Sequence, residues 1–164
     1  MSVKDGELQK IFQGHSEQVN AAQFSPDGTL IASGSDDCSV RLWEADSGEL
    51  IRSLEEHAKP VRFIAFSPAQ MQFVSADEDC FRIWDVKQGS SIALKQVHQL
   101  SSICYSNDGQ LIAAGSRSGL VAVFSLQGEK TCEFQVRGAV NALCFSKDGQ
   151  FLGAACDNAA IYNF

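Results

Sequence analysis

Three histidines and a surplus of carboxylates are the residues of this chain most able to do chemistry. His15, His57 and His98 offer imidazoles for proton transfer or metal ligation, and Asp77-Glu78-Asp79 offers clustered oxygen ligands for a hard cation. Their spacing points elsewhere. The histidines stand 42 and 41 residues apart, whereas zinc sites usually draw paired ligands from a single short turn. Asp77-Glu78-Asp79 reads as an exposed turn that carries one structural aspartate. The chain has no G-x-x-x-x-G-K-[ST], no G-x-G-x-x-G and no G-x-S-x-G, so it lacks the phosphate loop, the dinucleotide fingerprint and the nucleophile elbow. The expectation is no catalytic residue, no metal and no cofactor.

The six cysteines follow the same logic. Cys38 and Cys80 fall just after an acidic turn, and Cys104 and Cys144 fall just before a Tyr/Phe-Ser pair; Cys132 and Cys156 complete the set. None forms a C-x-x-C, and phase explains them better than disulfides. Reduced thiols imply an intracellular protein, cytoplasmic or nuclear.

The element that sets this phase is an aromatic residue followed by serine. It occurs at Phe24-Ser25, Phe66-Ser67, Tyr105-Ser106 and Phe145-Ser146, at intervals of 42, 39 and 40 residues. Self-similarity at that period marks a repeat architecture. Within the first repeat, Val19 to Phe24 is a short β run, and Pro26-Asp27-Gly28 is a turn in which Gly supplies a positive φ. Leu30 to Ser35 is a second strand and Asp36 to Ser39 a second turn. Val40 to Trp43 alternates apolar with polar, as a half-buried strand does, and Glu49 to Leu54 is a fourth strand. Four antiparallel strands per repeat describe a propeller blade. Small residues such as Ala21 and Ala22 suit an inner strand near the axis.

Gly14-His15 at the start and Leu42-Trp43-Glu44 at the end of repeat one, with Glu56-His57 and Ile83-Trp84-Asp85 in repeat two, resemble the WD40 family. Val123-Phe124-Ser125 and Ile161-Tyr162-Asn163 are decayed copies. The resemblance covers nearly the whole chain and implies an all-β propeller of four repeats, roughly 8–50, 51–91, 92–130 and 131–164, in a single domain over 1–164. It also implies a hydrogen-bonded tetrad inside each blade: His15, Ser33, Asp37 and Trp43 in repeat one, and His57, Ser75, Asp79 and Trp84 in repeat two. Repeat three keeps His98 but has Ala114, Ser118 and Phe124 at the other places, and repeat four lacks the histidine. Blades three and four are expected to rely on apolar packing.

The resemblance places function on the rim. In WD40 proteins one face around the channel often binds peptides. The matching positions here are Gln18, Asn20, Pro60, Arg62, Gln99, Ser101, Ala139 and Asn141 beside the inner strands, and Asp36, Glu78, Arg117 and Asp157 in the turns. Arg62 and Arg117 stand out as anchors, because a guanidinium makes forked contacts. The implied function is a non-enzymatic scaffold or adaptor for protein or peptide partners. A short stretch, Asn141 to Ser146, resembles a blade of a ribosome-associated propeller. It opens an alternative reading as a component of a ribosome-associated or RNA-processing complex.

Bulk properties fit this picture. The 164 residues are 45% hydrophobic and carry a net charge of −7, with no basic run, which argues against direct nucleic-acid binding. No apolar stretch is long enough for a membrane helix, and the first ten residues lack a signal-peptide apolar core. Four blades are few for a propeller. Residues 1–12, with Leu8 to Phe12 read as an outer strand, are a candidate closing strand for the final strand at 159–164. Closure would give a four-bladed ring within one chain, or half of an eight-bladed homodimer. Otherwise the chain is a partial propeller.

Overall fold

A computed structural model describes residues 10–158 together with the backbone of 161–163. The described strands are all antiparallel and fall into four sheets. The first holds β1 (Val19–Phe24), β2 (Leu30–Ser35), β3 (Val40–Glu44) and β4 (Leu50–Leu54), hydrogen-bonded in chain order. The second holds β5 (Phe63–Phe66), β6 (Gln72–Ala76), β7 (Cys80–Asp85) and β8 (Ser90–Gln96). The third holds β9 (Leu100–Tyr105), β10 (Leu111–Ser116), β11 (Leu120–Ser125) and β12 (Lys130–Gln135). The fourth holds β13 (Val140–Phe145), β14 (Leu152–Cys156) and β15 (Ile161–Asn163). Each sheet is a blade.

The aromatic-Ser element works as a turn lock. Ser25 Oγ donates to Asp27 Oδ1 at 2.6 Å and accepts the Leu30 N–H at 2.9 Å, while Gly28 sits at φ 73°. Ser106 with Asp108 and Ser146 with Asp148 repeat the lock, with Gly109 and Gly149 in the same left-handed conformation. Blade two has Ser67-Pro68 without the Asp-Gly, and there the Ala69 and Gln70 N–H groups bond Ser67 Oγ instead.

Blades stack through apolar faces of fixed polarity. Phe66, Phe73 and Trp84 of blade two pack on Ala32, Val40 and Leu42 of blade one. Ile112 and Phe124 of blade three pack on Val74, Phe81 and Ile83 of blade two, and Leu143 and Leu152 of blade four pack on Ala113 and Val121 of blade three. Close approach requires Gly34 and Gly115: a Cβ there would lie 2.5 Å from Val61 Cγ1 and 2.6 Å from Val140 Cγ1. Each of blades two to four thus sets an apolar face on the blade before it.

Among the described residues no core cluster joins blade four to blade one. Phe24, the counterpart of the buried Phe66, is 58% exposed. The described residues form a partial propeller, and among them no four-bladed ring closes. The candidate closing strand is corrected in its described part. Residues 1–9 lie outside the described residues, and Lys10 to Phe12 form no strand. Lys10 Nζ instead donates to the Asp46 carbonyl, and Phe12 stacks edge-on against Trp43 at 5.9 Å. An aromatic ring next to an open apolar face finds more to bury there than at a strand edge. This segment lies against blade one. The described residues contain no helix long and apolar enough to cross a membrane.

Candidate functional site

The polar groups best suited to chemistry are spent inside the blades. In blade one, His15 Nδ1 lies 2.9 Å from Asp37 Oδ2 and His15 Nε2 2.7 Å from Ser33 Oγ, to which Trp43 Nε1 donates at 2.8 Å. Burial alone would raise the Asp37 carboxyl. Hydrogen bonds from Ser39, His15 and the Ser39 and Ser16 N–H groups outweigh it and hold the group well below the usual carboxylate range.

Blade two corrects one expected member. The carboxylate on His57 is Asp77, at 2.7 Å from Nδ1, and not Asp79. His57 Nε2 lies 2.6 Å from Ser75 Oγ, which accepts Trp84 Nε1 at 2.7 Å. The physical reason is a turn one residue shorter than Ser35 to Ser39. Asp77, in the place of Ser35, then reaches inward and accepts the Asp79 and Cys80 N–H groups at 2.8 and 2.9 Å. Asp79 turns outward to Lys59 at 2.7 Å. Burial pushes His57 down toward the neutral form, against the pull of Asp77. It also pushes the Cys80 thiol up to about 12, reinforced by its hydrogen bond to Asp77. His57, Asp77 and Cys80 are near enough to share an ion. Both imidazole nitrogens are engaged and the thiol keeps its proton, so the trio works as a hydrogen-bonded strut.

His98 is also corrected. Its side chain is 76% exposed and lies 3.6 Å from Asp79 at the surface, not inside blade three. Nine residues separate His15 from Phe24 and His57 from Phe66, but seven separate His98 from Tyr105. The shorter link leaves the imidazole at the rim. Blade three replaces the tetrad by packing: Ala114 is buried, Phe124 meets Phe81 edge-on at 5.0 Å, and the Ser118 hydroxyl bonds the neighbouring Ser116 Oγ at 2.7 Å. The side chain of Tyr162 lies outside the described residues.

The rim positions behave differently, because the fold staples them in pairs. The Asp36 N–H donates to Gln18 O at 2.9 Å, the Arg117 N–H to Gln99 O at 2.8 Å, and the Asp157 N–H to Ala139 O at 3.1 Å. In blades one, three and four the β2–β3-type turn is thereby fixed beside the start of an inner strand. The result is one cleft of about 800 Å³ across blades one to four, lined by Asn20, Arg62, Glu78, Gln99, Ser101, Arg117 and Asn141 over Phe63 and Leu100. Seven of the expected face residues meet there. Gln18 and Asp36 stand just behind it, bonded to Asn20, while Pro60 and Asp157 do not line it. Asp157 caps the Ala139 N–H at 2.9 Å.

This geometry agrees with a comparison of the sequence with known families. The family described as the IFT122 first beta-propeller matches residues 1–164. The chain belongs to this WD40 β-propeller family. Among similar proteins, the intraflagellar transport protein 122 homolog of Mus musculus is 25% identical over 134 residues, 82% of this chain and 11% of that protein. Ribosome biogenesis protein ERB1 of Debaryomyces hansenii is 51% identical over 41 residues, 25% of this chain and 5% of that protein. WD repeat-containing protein 36 of Homo sapiens is 48% identical over 54 residues, 31% of this chain and 6% of that protein. The chain spans roughly a tenth or less of the length of these relatives.

For an IFT122-type propeller chain, the sequence reading missed three rim residues. Phe63 and Leu100 form the apolar floor, and Lys59 holds both Glu78 and Asp79, at 2.6 and 2.7 Å. The two apolar residues were visible only as inner-strand residues. Lys59 sits in a link whose course no periodicity fixes.

Proposed function

We propose that this chain is a non-enzymatic scaffold or adaptor whose rim cleft binds polypeptide partners. The observation that carries the reading is a division of labour. The imidazoles of His15 and His57 and the buried carboxylates are consumed within blades, while seven rim side chains from four blades converge on one open cleft. Such a surface orders groups for recognition and offers no paired acid and base. The longest of the quoted alignments, to intraflagellar transport protein 122 homolog, supports a part in intraflagellar transport. The higher but shorter identity to a ribosome biogenesis protein supports the alternative, a component of a ribosome-associated or RNA-processing complex. In either case the contact proposed is with protein. A net charge of −7 disfavours phosphate backbones and anionic membranes. Six free thiols support an intracellular location, cytoplasmic or nuclear.

Site-specific photo-crosslinking tests the reading. A crosslinker at Asn141 is expected to capture the same partner peptides from cell extract as one at Gln99. One at Ile51, on an outer strand, is expected to capture none of them. Equal capture at Ile51 would place recognition elsewhere.

The open ends support a second proposal, a head-to-tail homodimer. The large-residue face of blade one is bare at Phe24 and Val19, 58% and 49% exposed, whereas its counterparts in blades two to four are covered.

A further inference from the structure

We infer that the cleft receives an acidic side chain of an extended peptide, with the Arg117 guanidinium as its anchor. This rests on the peptide-binding reading above and names the chemistry of what binds.

The polar groups of the cleft divide into spent and free. Asn20 Nδ2 donates to Asp36 Oδ1 at 2.7 Å and to Val61 O at 3.0 Å, and its Oδ1 accepts from Arg62 at 3.0 Å. Arg62 also lies 3.1 Å from Asp36. Ser101 Oγ donates to the backbone carbonyls of Val140 and Gly115. Glu78 is held by Lys59 at 2.6 Å. Arg117, Gln99 and Asn141 remain. Their side chains line the cleft and bond no other described residue.

Gln99 adds an independent observation. It sits at φ 58°, in the left-handed region that a non-glycine residue rarely adopts, while its counterparts Gln18 and Ala139 do not. Strained backbone persists where the surroundings over-determine it, and it gathers at binding sites. Here Val97 and Leu100 are buried on either side, and Gln99 O holds the Arg117 N–H. The strain thus sets the free amide beside the free guanidinium.

Charge decides the class. The chain carries 20 acidic residues against 13 basic, yet the cleft presents two arginines and one glutamate, which is paired with Lys59. An exposed guanidinium on the wall of a cleft in a negative molecule attracts an incoming anion. Asp36 pairs with Arg62, and Lys59 is shared between Glu78 and Asp79, so Arg117 is the guanidinium of the cleft with no carboxylate partner among the described residues. A carboxylate matches it through a forked pair. A phosphate, with close to two charges, would leave an excess facing Asp36 and Glu78. Gln99 and Asn141 supply amide donors and acceptors on either side, suited to a peptide backbone.

The test uses the full chain and three pools of fluorescent octapeptides, identical except that the central residue is Asp, Asn or phosphoserine. Fluorescence anisotropy is expected to show the Asp pool binding about tenfold more tightly than the Asn pool, the scale of one charge-assisted contact. Arg117→Gln is expected to erase that preference while keeping the parental melting temperature, and Arg117→Lys to restore part of it. Tighter binding of the phosphoserine pool overturns the carboxylate assignment. So does a preference that survives Arg117→Gln, or no binding of any pool. Equal binding of the Asp and Asn pools, lost in a Gln99→Gly, Asn141→Ala double variant, overturns the acidic anchor while the peptide-binding reading stands.

Discussion

Asp77 and Asp79 stand two residues apart and do opposite jobs. Asp77 is 1% exposed and takes hydrogen bonds from His57, from the Asp79 and Cys80 N–H groups and from the Cys80 thiol. Asp79 meets Lys59 and His98 in solvent. Asp77→Asn should therefore destabilise by about 1–3 kcal/mol, because a buried network loses its acceptor. Asp79→Asn should stay within about 1 kcal/mol, as exposed ion pairs do. Urea melts at neutral pH compare the two, and equal losses would reject the assignment of Asp77. The same network sets the acid limb. Asp77 is lowered in the folded state, so its contribution is present above pH 3.8 and lost as pH falls through the folded value. His57 is lowered too, so the unfolded chain binds its proton first and stability declines once pH drops below about 6.5. Melting temperature should fall from pH 7 to pH 5, and less so in His57→Gln. Which aspartate faces the histidine was not legible in the sequence. Alignment from the cysteine sets Asp79 opposite Asp37, whereas counting from the end of the strand sets Asp77 opposite Ser35, and only the length of the folded turn chooses.

The strands themselves were legible because their signals are local. Alternation in Val40 to Trp43, the Asp-Gly turns with positive φ and the short apolar runs each act over a few residues, and the folded strands fall where these signals lie. The N-terminal segment was not legible. A pentapeptide with three apolar residues, Leu8, Ile11 and Phe12, reads as a strand wherever it lies, and its partner is a matter of tertiary competition. Blade polarity was not legible either, since it depends on which side of each strand meets the next blade. That polarity makes a prediction about the two tryptophans. Trp84 is fully buried, stacks on Phe73 at 6.2 Å, and packs on blade one. Trp43 occupies the same register on the open face, covered by Phe12 and without a blade over it. Trp84→Ala should cost about 3–5 kcal/mol, the usual loss for an enclosed large side chain. Trp43→Ala should cost less, because its cavity opens to solvent and can collapse. Denaturant midpoints of the pair decide it, and a larger loss at Trp43 would mean its face is covered in solution.

At the scale of the whole molecule, the row of blades ends in two different surfaces. Blade one presents Phe24 and Val19 around a recess of about 220 Å³ lined by Ile31 and Trp43. Blade four presents the small residues Cys144 and Gly153, exposed and half-buried. Three internal junctions each pack the apolar face of one blade on the blade before it. The same complementarity between copies gives a heterologous contact that can close into a ring. Two copies would remove both open faces, which otherwise favour association by less specific routes. Opposing this, each copy carries a net charge of −7, so their repulsion should be screened by salt. Light scattering at micromolar concentration should give twice the chain mass of 17.8 kDa, with the dimer favoured at higher ionic strength. Phe24→Glu, on a side chain already 58% exposed in the single chain, should leave the fold intact and return a monomer. A wild-type chain that stays monomeric at all salt concentrations would exclude the ring. The bare face of blade one would then be left for a blade of another kind.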